Sequence, residues 1–543
     1  MSNTLPGQLL TVYVLATVLA ALGGFWLARR YRAALLPLMR APLEAAVGAG
    51  AMHPAEAATA VPPWREPAAI TLAGHRASQA RLVALLIGLS MLIALTRGAL
   101  WLWLNRDDGT PFSASRLIVL AVIYAWPVLP ALGLMWRWSW GRLALALVAW
   151  YLGAMLLVML RSTEAQSLAQ VAGWLAFEIG VPTLALMLLT LRGTRAAAPW
   201  LWPPLALLLY AALLGVNLLG LLVDQRSPLL GPIVRHLSPP VAMLAFALAA
   251  VLLAWWPVRR FARALAGAYT RKRVSDLMVV FSAAWALNLG FDSLGGGPAV
   301  LLAILWIPLA LVWLDRRQRR ARSLAASPAA RAPTLLVLRV FNQEAKVGAL
   351  FDDVIERWRA SGNTVLIAGT DVVDHTLDAT DLFDYLDGRL AERFVRSGAE
   401  LPTRLAAFDW LPDADGRWRV NEIHCHDSTW QLALAALVDR ADRVLMDLRG
   451  FAAHNAGCRF ELGVLARAAR LHRAVLLIDP STDLATARAD AAGAPAGRFV
   501  WLALPADATA ARRATRRRVM AALLGAASVR DTATVSTATN ANA

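Results

Sequence analysis

The sequence changes character near residue 315, and this change constrains the fold more than any other feature. Before it, apolar runs of about twenty residues follow one another, a length that crosses the ~30 Å hydrocarbon layer of a bilayer only as a helix. After residue 333, short apolar strands alternate with amphipathic helices. The sequence therefore predicts a polytopic α-helical membrane domain followed by a water-exposed α/β domain.

Nine apolar segments are predicted to span the membrane, and only residues 291–298 separate the last two. They are Leu9–Leu27, Leu82–Leu104, Leu117–Leu134, Leu143–Leu160, Val171–Leu191, Leu201–Val223, Val241–Trp256, Leu277–Gly290 and Ala299–Leu314. Basic residues follow the first span and none precedes it, which is the reverse of a cleaved secretory signal.

Basic residues set the predicted orientation. With the amino terminus outside, the inner loops contain 22 Lys and Arg and the outer loops contain 5. Cytoplasmic loops carry the excess of Lys and Arg, so we expect a multi-pass protein of a bacterial inner (plasma) membrane with the α/β domain in the cytoplasm. The net charge of +17 lies within residues 1–330, which indicates contact with the lipid bilayer and not with nucleic acid.

Four ionisable or amide side chains fall within the predicted spans, namely Arg97, Glu178, Asn217 and Asn288. Ionisable groups in hydrocarbon are costly unless they are paired or hydrated. Arg97 and Glu178 have opposite charge, so they are predicted either to pair or to line a polar pathway. A third interpretation is that Arg97 extends to the membrane surface and has no partner.

The remaining chain divides into a linker at 323–333, an α/β domain at 334–527 and a disordered tail at 528–543, after a membrane domain at 1–322. Alternating strands and helices with short connections predict a parallel sheet covered by helices. One exception is predicted, a hairpin formed by Arg404–Trp410 and Arg417–His424 around a turn at 413–416. Both cysteines, Cys425 and Cys458, lie in this domain, and they indicate a reducing compartment with no disulfide framework.

Ligands of parallel sheets bind beyond the carboxyl ends of the strands. The segment after Met446 is the richest in polar residues there, and it places Asp447 at a strand end and Glu461 in the first turn of a helix. Two carboxylates lining a cleft can act on a glycosidic bond, whose transition state is positively charged. The alternative is structural, because Asp447 can cap a helix and the helix dipole favours Glu461 in a first turn.

Two families resemble this segment. The stretch Gly457-Cys458-Arg459-Phe460-Glu461-Leu462 looks like the Cys-x-x-Glu-Leu stretch of TIR domains, in which the Glu of NAD-cleaving members is catalytic. Asn455-Ala456-Gly457-Cys458 with Glu461-Leu462-Gly463 also resembles the Asp-x-Gly-Thr-x-x-Glu-x-Gly stretch of nucleoside 2-deoxyribosyltransferases, whose Glu is the nucleophile. This chain has Gly457 where TIR domains have Trp, and Asn455 where the transferases have an acidic residue. Both resemblances imply a flavodoxin-like sheet and N-glycosidic chemistry at Glu461.

The resulting expectation is an NAD glycohydrolase or deoxyribosyltransferase-like hydrolase, or a domain that only binds such a ligand, in signalling or stress response. Glu461 and Asp447 are the expected catalytic residues, with Glu461 as nucleophile or charge stabiliser. The expected ligand-binding residues are Asn455, Gly457, Cys458, Arg449 and Asp371. NAD or a nucleotide is expected as substrate or ligand, with no separate cofactor.

Two alternatives remain open. The α/β domain is either a non-enzymatic TIR-like scaffold that self-associates as a homo-oligomer, or the regulatory domain of a transporter or channel. No metal site is expected, because neighbouring strand residues alternate between faces and only His424 and His426 of the His-Cys-His-Asp run could converge. The acidic series that begins at Asp371 is interpreted either as a cation or ribose site or as a solvated helix face.

Overall fold

The computed structural model describes residues 5–40, 67, 70–106, 112–161, 167–190, 193–225, 237–325, 331–340, 344–369, 373–505 and 512–525. The chain forms two compact units. The first comprises Met1–Arg29, Val83–Arg316 and Asp378–Leu382, and the second comprises Arg30–Leu82, Arg317–Leu377 and Phe383–Ala543.

The amino-terminal 325 residues are helical wherever the structure describes regular elements. The α-helices are Leu5–Arg40, Leu72–Leu104, Ala114–Tyr124, Val128–Met135, Trp140–Arg161, Leu168–Leu175, Val181–Leu189, Ala198–Asp224, Pro239–Thr270, Asp276–Gly296 and Trp306–Ala325. A wide π-turn, Ala176–Gly180, joins the sixth helix to the seventh, and a 3-10 helix, Pro298–Leu305, precedes the last.

Seven helical segments in the described part of the chain are long and apolar enough to cross a membrane, or eight if one bent pair is a single span. These helices suggest a membrane protein, whereas the predicted number of nine spans is not confirmed. The predicted third span is the bent pair, Ala114–Tyr124 and Val128–Met135, whose axes differ by 41°. The predicted eighth span forms the helix Asp276–Gly296, which is not among the seven.

The first unit contains a buried ion pair that the sequence did not predict. Arg97 pairs with both carboxylate oxygens of Asp292, whereas a pair with Glu178 was one of the alternatives that the sequence left open. Asp292 was assigned to the connection between two spans, but the helix that begins at Asp276 continues past it to Gly296. Asp292 is therefore part of a helix and not of a loop.

The second unit is built on seven parallel strands. They are β1 (Thr334–Arg339), β2 (Asn363–Ile367), β3 (Phe394–Val395), β4 (Val420–Cys425), β5 (Arg443–Asp447), β6 (Arg473–Ile478) and β7 (Phe499–Ala503). The spatial order is β3-β4-β2-β1-β5-β6-β7. The parallel sheet predicted from alternating strands and helices is thus present.

The helices of this unit follow the strands along the chain. They are Glu344–Leu350 and Glu356–Trp358, joined by the π-turn Phe351–Ile355, then Val373–Thr376, Ala379–Leu386, Leu401–Ala406, Trp430–Val438, Ala456–Arg467, Leu484–Asp490 and Arg512–Leu523. Two short 3-10 helices, Leu390–Arg393 and Gly398–Glu400, flank β3. Successive residues of β1 enter two different hydrophobic clusters, Leu336 one and Leu335 the other, so both faces of the sheet are covered.

The predicted hairpin is wrong. Residues 404–406 end the helix Leu401–Ala406, and β4 pairs in parallel with β2 and β3. The predicted tight turn is present, because Gly416 has φ +85° and its N–H donates to Asp413 O at 2.9 Å. It precedes β4 without joining two antiparallel strands.

The second unit also includes residues from the amino-terminal third of the chain. Tyr31 is 2% exposed, and its hydroxyl lies 3.3 Å from Nε2 of His424. Nδ1 of His426 lies 2.8 Å from the backbone oxygen of Leu38. Because a carbonyl oxygen only accepts, this nitrogen donates the hydrogen bond. The chain before residue 83 therefore contributes buried contacts to the α/β fold.

Candidate functional site

The direction in which the chain adds strands to the sheet reverses at β1. The chain leaves β1 for β2 on one side, and β5 lies on the other side of β1. Loops that leave such neighbouring strands go to opposite faces and open a crevice at the carboxyl edge, which is where ligands of open α/β sheets bind. Arg339 ends β1 and lies in register with Asp447, which ends β5.

Glu461 lies on the helix that follows β5. This helix begins at Ala456, so Glu461 is in its second turn, and the prediction that it lies in the first turn is wrong. The helix dipole acts within the first turn only, so it does not explain this residue. Glu461 is 5% exposed, and its Oε2 atom has no hydrogen-bond partner among the residues that the structure describes.

Burial raises the pKa of Glu461 to about 8, and the positive charge of Arg339 only partly opposes this effect. The carboxyl group is therefore protonated and uncharged at neutral pH in this conformation. A carboxyl group in this state can donate a hydrogen bond, and it becomes an anion when the pH rises or when a cationic group comes close.

Asp447 is engaged by Arg449 in a two-point ion pair. Arg449 Nε donates to Oδ1 of Asp447 at 2.8 Å, and its Nη2 donates to Oδ2 at 2.5 Å. Nη2 also donates to the backbone oxygen of Lys346 at 2.9 Å. Asp447 thus fixes the direction of the Arg449 guanidinium at the carboxyl end of β5.

Two further charged residues lie in the same part of the unit, and the sequence analysis did not single them out. Lys346 Nζ donates to Oδ2 of Asp479 at 2.9 Å. Asp479 directly follows β6, so the rule that function lies after strand ends could have selected it. Burial raises the pKa of Asp479, but hydrogen bonds from Ser481 and Lys346 outweigh burial, and the pKa lies below its usual value.

The remaining expected ligand-binding residues have distinct surroundings. Asn455 Oδ1 accepts a hydrogen bond from the N–H of Ala452 at 2.7 Å, which closes the loop before the helix. A Cβ at Gly457 would lie 3.9 Å from Trp430, so the glycine is not sterically required. Burial raises the pKa of Cys458 to about 12, and its thiol donates to Arg339 O at 3.8 Å. Cys458 is therefore protonated at neutral pH and is a poor nucleophile.

Asp371 lies outside the described residues. The structure brings Asp447, Arg449, Cys458 and Glu461 to the carboxyl side of β1 and β5, together with Arg339. Arg339 carried a sequence signal, since it is the one charged residue of β1 and follows four apolar residues.

The His424-Cys425-His426 run ends β4 and is buried. Burial lowers the pKa of His424 well below its usual value, and the charges of Arg393 and Arg404 add to this effect. Burial has the opposite effect on the pKa of Cys425, which it raises to about 12, because the charged form of a thiol is the deprotonated one. In the described part of the chain, no three His, Cys, Asp or Glu side chains are grouped so that they could hold a metal ion.

Comparison of the chain with protein-family models, with curated proteins and with solved structures finds no match.

Proposed function

We propose that the α/β unit binds NAD or a related nucleotide at the carboxyl edge between β1 and β5, and that Glu461 acts on the N-glycosidic bond of this ligand. The observation that carries the proposal is the Glu461 carboxyl group, which is buried beside this edge and has an oxygen without a hydrogen-bond partner among the described residues. A buried polar atom without a partner requires a specific explanation, and a bound ligand or a catalytic role is one.

The sheet supports this proposal. When β3 and β4 are left out, the remaining strands have the order 2-1-3-4-5 in chain numbering, which is the order of flavodoxin-type sheets. Their ligands bind at the reversal of strand order, and in this unit the reversal lies between β1 and β5. The Arg449 guanidinium, held by Asp447, supplies a fixed donor for a phosphate or carboxylate group.

The charge of Glu461 sets the expected chemistry. An anionic carboxylate stabilises an oxocarbenium-like centre, whereas the protonated acid does not. A ligand with a cationic ring, such as the nicotinamide of NAD, favours the anion when it binds nearby. Turnover should therefore rise as the pH increases through the pKa of about 8. A rate that falls through this range would assign Glu461 the role of general acid instead.

The test uses the full-length protein in detergent, with release of nicotinamide or free base as the readout. Glu461→Gln keeps the size of the side chain and removes its ability to become negative, so it should lower turnover by orders of magnitude while ligand still raises the melting temperature. Glu392→Gln makes the same chemical change at an exposed position and should behave as the wild type. Equal turnover in all three proteins would refute the role of Glu461.

A second candidate is a non-enzymatic binding or scaffold module on a membrane anchor. It is favoured by the same carboxyl group, since an acid that is neutral at pH 7 carries no charge with which to stabilise an oxocarbenium-like centre. This candidate predicts that ligand stabilises the protein without being cleaved, even at high protein concentration where self-association occurs.

The location of the protein is also part of the proposal. The excess of basic residues in the predicted inner loops supports a multi-pass inner-membrane protein whose α/β unit lies in the cytoplasm, where NAD and nucleotides are available. The domain boundary at 323–333 belongs to the same proposal.

A further inference from the structure

The first unit brings three ionisable side chains together, and none of them belongs to the site in the α/β unit. Arg97 and Asp292 form a two-point ion pair and are each 2% exposed. Glu178 interacts electrostatically with both of them. The side chains next to the two acids, Phe177 and Phe291, are in edge-to-face contact with ring centroids 5.9 Å apart. Two acids therefore lie near one guanidinium within a buried region, and Asp292 is the one bonded to it.

Two carboxyl groups and one guanidinium leave a charge to be neutralised. With both acids ionised, the cluster carries one net negative charge. Among the residues that the structure describes, Tyr124 is the other titratable group that faces the cluster, and its ring centroid lies 3.5 Å from the guanidinium carbon of Arg97. An aromatic ring, and not a second base, thus covers this face of Arg97. A buried carboxylate without its own counter-charge costs several kcal/mol, so it takes up a proton or a cation.

Glu178 is the group that can accept the proton. Asp292 uses both of its oxygens for Arg97, whereas Glu178 is 8% exposed and its Oε2 has no hydrogen-bond partner in the described residues. Glu178 also lies in the π-turn Ala176–Gly180. Such turns interrupt α-helices frequently at functional sites.

We propose that this cluster is a proton-binding site of the helical unit, in which Glu178 takes up and releases one proton while the Arg97–Asp292 pair stays ionised. The proton adds to a carboxylate oxygen of Glu178 and changes the net charge of the cluster from −1 to zero. This site gives the helical unit a role other than anchoring, and it is independent of the nucleotide proposal.

The test is infrared difference spectroscopy of the full-length protein in lipid during a pH titration. The titration uses a Glu461→Gln background, which removes the buried acid of the other unit. This protein should show the high-frequency C=O stretching band of a buried protonated carboxylic acid that appears as the pH falls, and adding Glu178→Gln should remove that band. Glu392→Gln, at an exposed position of the other unit, should keep it. Circular dichroism verifies that each variant retains its helices.

Asp292→Asn provides a second, directional test. This change removes the competing negative charge and leaves Glu178 as the sole carboxylate opposite Arg97, so protonation of Glu178 should move to lower pH by about 1–3 units. A band that persists when Glu178→Gln is added to Glu461→Gln, the absence of a titrating band in the Glu461→Gln protein, or a shift to higher pH when Asp292→Asn is added to it would each overturn the proposal. A midpoint of the Glu461→Gln protein that moves with Na⁺ concentration at constant lipid composition would overturn the assignment to a proton.

Discussion

Replacing Glu461 by Gln should remove a large part of the pH dependence of the stability of the α/β unit. The folded protein holds the Glu461 proton up to a pKa of about 8, whereas the ordinary value of the group is 4.5. Below pH 4.5 the carboxyl group is protonated in both the folded and the unfolded chain, and its contribution to stability is fully present. As the pH rises from there, the unfolded chain loses this proton first, so stability falls until the folded protein also loses it near pH 8.

The size of this effect follows from the difference between the two pKa values. Each pH unit within the window lowers the free energy of unfolding by about 1.4 kcal/mol, which amounts to about 5 kcal/mol over the whole window. Glutamine does not titrate, so the free energy of unfolding of Glu461→Gln should lack this pH-dependent contribution. Because every other group titrates in both proteins, the difference between wild type and variant isolates Glu461.

The assay is thermal unfolding of the full-length protein in detergent across a pH series from acidic to alkaline. The melting temperature of Glu461→Gln should increasingly exceed that of the wild type as the pH rises toward about 8, and the gap should then level off. Glu392→Gln, which changes an exposed acid, should follow the wild type throughout. Parallel curves for Glu461→Gln and wild type would refute the raised pKa and, with it, the uncharged state of this carboxyl group at neutral pH.

Three further predictions use other parts of the chain. Arg449→Ala leaves Asp447 buried without its counter-charge and should cost about 3–5 kcal/mol in thermal unfolding, with much of the loss recovered when Asp447→Asn is added. Tyr31→Phe removes the hydroxyl next to His424 and should cost about 0.5–1.5 kcal/mol by the same measurement; an unchanged melting temperature would contradict this. A reporter that works only in the cytoplasm should be active when it is fused to the carboxyl terminus, and one that works only in the periplasm should be inactive there. Activity of the periplasmic reporter would refute the orientation inferred from loop charge.

The central strands could be predicted from the sequence because they are buried on both faces. Such strands are continuous apolar runs, and Arg443–Asp447 was predicted with the bounds that β5 has. The limits predicted for β1, β2, β6 and β7 differ from the structure by one residue at one or both ends. The predicted ranges are Thr334–Val340, Thr364–Ala368, Ala474–Ile478 and Phe499–Leu504.

The hairpin failed for a physical reason. The segment before β4 is rich in charges that pair within the fold, where Arg417 bonds to Glu356 and Arg419 bonds to Asp413. In the sequence, arginines at alternate positions resemble the exposed face of an antiparallel strand. In the structure, Arg417 and Arg419 are both almost fully buried. Sequence periodicity does not reveal which distant acid will neutralise a charge, so the burial of these arginines could not be predicted.

The candidate site was predicted only in part for a similar reason. The position of Asp447 at a strand end and of Glu461 on the following helix could be predicted, because both depend on local sequence. The ion pair of Asp447 with Arg449, the proximity of Arg339 and the depth of Glu461 depend on the packing of β1 against β5. The state of the carboxyl group, which decides its chemistry, thus became visible only in three dimensions.

The short outer strand β3 limits how this sheet can join another molecule. An edge strand exposes backbone N–H and C=O groups that an incoming strand can pair with, and long, flat edges invite such additions. β3 has only two residues, Phe394 and Val395, both buried, so this side of the sheet offers almost no template. Strand addition is therefore restricted to the β7 side, and assembly of several copies through the α/β unit would depend mainly on helix and loop surfaces.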